Sequence, residues 1–78
     1  MLRAARFRVL AAHLRTRREP LSKIMRAVDG LGDGEALRIR ATFAPVPLVG
    51  LLSERGFVYH LEEHDADAWS VWCWRRLL

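Results

Sequence analysis

The amino-acid sequence predicts a two-layer α/β sandwich of the α+β kind. Its order is β-α-β-α-β-β, with a four-stranded mixed sheet and both helices on one face. Three observations carry that prediction. Leu21, Ile24, Met25, Val28 and Leu31 recur at helical spacing, and Leu37, Ile39 and Ala41 alternate with Arg38, Arg40 and Thr42 at the strand period of two. Near the end, two aromatic-rich runs flank the short polar segment His64-Asp65-Ala66-Asp67, the pattern of an antiparallel hairpin.

Taken in order, Phe7 to Leu14 reads as the first strand, with its register left open by Ala11, Ala12 and His13. Glu19-Pro20 opens the first helix, because proline is tolerated at the first helical position and an acid there complements the positive end of the dipole. Lys23 and Arg26 turn outward, and Gly30, Gly32 and Gly34 supply a left-handed cap and the turn. The second strand runs from Glu35 to Phe43. Pro45-Val46-Pro47 then starts a helix carrying Leu48, Leu51 and Leu52, weakened at Gly50 and ended by Gly56. Phe57 to Glu63 and Trp69 to Arg75 are the last two strands. Two helices cover one face of such a sheet and leave the other open.

With 78 residues, 51% of them hydrophobic and 28% charged, the chain makes one ordered domain over residues 1–78, with residues 1–6 a disordered basic extension. Six arginines and no acid stand between Met1 and Arg18; the other seven of the 13 basic residues face nine acids further on. That acid-free start superficially resembles a presequence, but its apolar stretch is short and Phe7-Arg8-Val9 alternates like a strand. The arginines read first as guards on a solvated edge strand and second as a contact for an anionic partner. The single cysteine, Cys73, excludes an internal disulfide and fits a reducing, cytoplasmic setting. No apolar run approaches the roughly 20 residues that cross a bilayer, so no membrane partner is expected.

Leu14-Arg15, Glu19-Pro20-Leu21, and Phe43 followed by Pro45-Val46-Pro47-Leu48, at the two strand-to-helix junctions, together resemble TusA/SirA-like proteins. Gly34-Glu35-Ala36-Leu37, Glu54-Arg55-Gly56-Phe57 and Trp69-Ser70-Val71 are similar to one branch of them, a family of unknown function found alone or fused to hemerythrin-like domains. The resemblance covers nearly the whole chain from about Val9. In sulfur carriers of the TusA type the first helix opens with Cys-Pro-x-Pro, whose thiolate carries a persulfide. Here the matching stretch is Arg17-Arg18-Glu19-Pro20. Arginine stands where the cysteine and the first proline would be, so the motif is degenerate and the resemblance implies a fold without sulfur-carrier activity. Relatives also commonly carry an acid in the first strand, where this chain has Leu10-Ala11-Ala12-His13.

Cys73 shares parity with Trp69 and Val71 and reads as a buried small hydrophobe, not as a substitute thiol. His60, Glu62 and His64 have like parity and, with Glu63, Asp65 and Asp67, form a weak metal-site candidate beside the simpler reading of a polar hairpin tip. Ser22, Ser53 and Ser70 lack an evident base, and the glycines do not form a phosphate loop, so neither an enzyme nor a cofactor is expected.

The open sheet face is the leading candidate. Arg38, Arg40, His60, Trp72 and Trp74 are predicted to share it, an apolar patch with cation–π character; the alternative is the opposite register, with the tryptophans in the core. The first functional reading is a non-enzymatic accessory domain that docks a protein partner, or a second copy of itself, through this face; the resemblance implies redox or metal-handling partners. The alternative is single-stranded nucleic acid, with Trp72 and Trp74 as stacking platforms and Arg38 and Arg40 on phosphates. Four acids between Glu62 and Asp67 weigh against it.

Overall fold

The computed structural model describes residues 8–76 of the chain. Residues 1–6, expected to be a basic extension, and Phe7 lie outside them. The elements follow the predicted order: β1 (Arg8–Leu14), α1 (Ser22–Asp29), β2 (Glu35–Ala41), α2 (Val46–Glu54), β3 (Phe57–Asp65) and β4 (Ala68–Arg75). They build a four-stranded sheet in the spatial order β1-β2-β4-β3. β1 runs parallel to β2, as a strand–helix–strand crossover requires, and β4 is antiparallel to both neighbours. The final hairpin therefore inserts β4 into the centre of the sheet and leaves β3 at the edge.

Alternation decides what faces the helices. Leu37, Ile39 and Ala41 of β2 and Val71 and Cys73 of β4 pack with Ile24, Met25 and Val28 of α1 and Leu48 and Leu52 of α2 in one core. From β1, Leu10 and Ala12 border this core and Leu14 enters it, which settles the register that the alanines left open. Each fully buried aliphatic side chain contributes about 1.5–3 kcal/mol, so a two-layer arrangement suffices for a domain of this size.

Several boundaries differ from the sequence reading. Pro20 is not the first helical residue: α1 begins at Ser22, with Leu21 at the N-cap and no acid in the first turn. Glu19 serves the preceding loop instead, its Oε1 accepting hydrogen bonds from the Arg15 and Thr16 N–H groups at 2.7 and 3.3 Å. Gly30 caps α1 in a right-handed conformation, φ −84°. The left-handed turn falls at Gly34, φ 78°, where Gly32 N–H is held by Glu35 Oε1. β2 stops at Ala41, since Thr42 Oγ1 donates to the Arg15 carbonyl and the chain turns away. The hairpin strands extend to Asp65 and from Ala68, so its turn is shorter than the four residues expected, with a register shift between Glu63 and Asp65.

Arg75 ties the layers together. Its guanidinium donates to the Asp29 and Leu31 carbonyls at the end of α1 and lies 5.2 Å from the Phe57 ring centroid. Arg55 Nη1, at the end of α2, donates to both Asp29 carboxylate oxygens, at 2.8 and 2.6 Å. These cations sit where helix carbonyls lack partners.

Gly50 lies inside α2, and apart from its chain neighbours and the helix's own backbone no atom comes within 4 Å of where a Cβ would sit. Gly50→Ala is therefore expected to stabilise the fold by about 0.5–1 kcal/mol. Gly34→Ala, at positive φ, should destabilise by about 1 kcal/mol. Urea unfolding midpoints of the two variants check both signs.

Candidate functional site

The uncovered sheet face is a grid set by strand register. Val9, Ala36, Trp74 and Val58 form one cross-strand row. Ala11, Arg38, Trp72 and His60 form the next, and His13, Arg40, Ser70 and Glu62 the third. The structure thus brings Arg38, Arg40, His60, Trp72 and Trp74 to one face, opposite the helices. β4 supplies both tryptophans because its inward parity is taken by Val71 and Cys73, each 0% exposed.

Trp72 is held on three sides. The Arg38 guanidinium lies over its ring, 5.1 Å from the centroid, and its indole Nε1 donates to Glu62 Oε1 at 3.0 Å. His60 is its cross-strand neighbour. Trp72, Trp74, Val9, Ala36, His60 and Glu62 line a shallow concavity of about 480 Å3, apolar apart from His60 and Glu62. Aromatic side chains pinned in this way lose little freedom when a ligand covers them.

Ser70 shares the open face but is only 1% exposed. Its Oγ receives Arg38 Nη2 at 3.4 Å and lies 3.1 Å from His64 Nε2, so two longer side chains cover it. The Ser70–His64 distance is that of a nucleophile and base. A catalytic pair would also need an accessible hydroxyl and a group orienting the imidazole. Ser70 is covered, and no carboxylate hydrogen-bonds His64 among the described residues.

Glu62 and His64 among the metal candidates are engaged elsewhere. His60, Glu62 and His64 do lie toward the open face, but Glu62 holds Trp72 and His64 contacts Ser70. Among the described residues no three His, Cys, Asp or Glu side chains converge on a point where an ion could sit. Nor is any helix long and apolar enough to cross a membrane.

The family described as "Uncharacterized conserved protein (DUF2249)" matches residues 8–75, from the first residue of β1 to the last of β4. The chain belongs to this family. No curated protein and no solved structure matches it. Membership in DUF2249 thus covers the whole sandwich, its open face included.

In the helix-opening stretch of this DUF2249 chain, two side chains make structural contacts. Arg17 stacks over Phe43, 4.9 Å from the ring centroid, and Glu19 organises the loop; Arg18 and Pro20 are exposed. A small cleft of about 90 Å3 lies here, lined by Arg17, Glu19, Phe43 and Pro47 among others, with no thiol. Cys73 lies away from it, sealed in the core. Burial pushes its thiol from 9.0 up to about 11, opposed by a backbone hydrogen bond with Leu37.

Sequence reasoning missed Glu62 as the acceptor for Trp72, Ser70 as the hydroxyl beneath Arg38, and Val9 and Ala36 as slot walls. Parity alone placed Ser70 outward. What each residue meets depends on the register between strands distant in sequence.

Two measurements follow from Cys73. Alkylation by iodoacetamide at pH 8 should be slow in the native protein and rise at least about tenfold in urea, since the thiolate is the nucleophile. The unfolded thiol ionises near pH 9 while the native one keeps its proton to about 11. Its contribution to stability is therefore complete below pH 9 and falls as pH rises toward 11. The loss, on the order of 2–3 kcal/mol, should be absent in Cys73→Ala.

Proposed function

We propose that this chain is a non-enzymatic interaction domain that docks a protein partner through its open sheet face. One observation carries the reading: Trp72 and Trp74 line a preformed apolar slot on the face the helices do not cover, with Trp72 held by Arg38 and Glu62. Tryptophan and arginine are enriched in binding hot spots, tryptophan because it buries a large area from two rotatable bonds. A second copy of the chain is the simplest partner, and a redox or metal-handling protein is the class that the TusA/SirA resemblance favours. The resemblance also supports a role without sulfur transfer, since the helix-opening stretch holds arginine where a thiolate would be needed.

Single-stranded nucleic acid fits this face less well. Glu62 sits against the Trp72 indole, so a phosphate backbone following the stacked bases would meet a carboxylate at the slot margin.

A photo-reactive benzophenone side chain at position 74, compared with one at the exposed helix residue Lys23, tests the reading in cells. Protein adducts from position 74 well above those from Lys23 are expected, with a doubled mass if the partner is a second copy. Nucleic-acid adducts would favour the alternative. Equal yields from both positions would sink the docking face.

A further inference from the structure

Beside the tryptophan slot, the same sheet face holds a second concavity of different chemistry. It measures about 240 Å3, and Arg38, Arg40, His13, His64, Thr42 and Ser70 contribute to its wall. Asp67 is the only carboxylate on that wall, and it pairs with neither arginine. Arg40 is exposed and makes no ion pair among the described residues.

Arg38 has donors to spare. A guanidinium carries five N–H groups; here Nη2 reaches Ser70 Oγ at 3.4 Å. Its Nε is the one buried side-chain nitrogen or oxygen among the described residues without a hydrogen-bond partner. That Nε is buried, so the Nη groups are the ones that meet an incoming ligand, and a guanidinium matches the two oxygens of an anion. Arg38 lines the basin and stacks on Trp72, which lines the slot, so the two concavities adjoin at this pair.

We infer that the basin is an anion site and that the segment docking in the neighbouring slot is an acidic peptide, with a carboxylate received by Arg38 and Arg40. This deepens the docking reading and rests on it. Charge complementarity selects the occupant. Two arginines against one aspartate leave the wall with one net positive charge when the histidines are neutral, which a single carboxylate balances. Spacing agrees with it. Trp72 lines the slot and Ser70 the basin, two residues apart on β4, or about 7 Å. An extended segment presents side chains to one face at that same interval. An apolar residue and an acid two positions apart therefore fill both concavities at once.

The test uses the 15N-labelled chain and a blocked peptide with phenylalanine and aspartate two positions apart, beside its asparagine counterpart and inorganic phosphate. Indole N–H and arginine Nε–H resonances report the slot and the basin separately. Both peptides should shift Trp72 and Trp74, with the aspartate form about tenfold tighter. That advantage should disappear in Arg38→Gln and shrink in the exposed-site variant Arg40→Gln, and phosphate alone should not saturate. Equal affinity of the two peptides in the wild-type chain overturns the anion site and leaves docking intact. Saturable phosphate binding with no advantage for the acidic peptide assigns the basin to a free ion and overturns the acidic partner. Indole resonances that stay still with every peptide overturn the docking reading itself, and the inference with it.

Discussion

Two short helices cover one face of a four-stranded sheet, and in a strand every second side chain must point to the other face. Most of what distinguishes this molecule descends from that constraint. Once Val71 and Cys73 are committed to the core, Ser70, Trp72 and Trp74 have no choice but the open side. The same applies in β2, where packing Leu37 and Ile39 inward sends Arg38 and Arg40 outward. A one-residue slip of β4 would place two tryptophans beneath the helices and expose the core, so the hydrophobic pattern specifies the register strongly.

The open face is then stabilised by local pairings. Arg38 over Trp72 is a cation–π contact worth about 0.5–1 kcal/mol at an exposed site and more when desolvated. Glu62 satisfies the indole nitrogen, and Ser70 occupies the space beneath the guanidinium. These contacts cover part of an apolar surface that water would otherwise meet. They also divide the face, so that an apolar slot and a cationic basin lie side by side. The helix-opening stretch contributes to neither. Arg17 stacks on Phe43 and Glu19 holds the loop between β1 and α1.

Much of this was legible in the residue pattern. The helix over Leu21 to Leu31 showed its spacing, and the alternation of Leu37, Ile39 and Ala41 gave β2 its sides. The parity of Val71 and Cys73 assigned the tryptophans. What was not legible is whatever depends on pairing between distant segments. Arg38 meets Trp72, and Val9 reaches the slot through Ala36, only because β4 enters the sheet beside β2, and no local signal states that strand order. Element ends were hidden for a different reason. Glu19 and Gly30 have intrinsic preferences for helix termini, but Glu19 found backbone N–H groups in the loop, and the left-handed turn moved to Gly34, four residues on. The hairpin turn shortened because strand pairing satisfied backbone groups that the polar composition of His64 to Asp67 had assigned to a loop.

Three consecutive residues, Trp72, Cys73 and Trp74, alternate between the two faces of the sheet. Brief hydroxyl-radical footprinting of the native protein, read by mass spectrometry, compares them within one strand. Oxidation of both tryptophans with Cys73 protected until the fold is denatured is the result predicted. Rapid oxidation of Cys73 in the native state, with the flanking tryptophans spared, would contradict the assignment of faces on which the slot and the basin both depend.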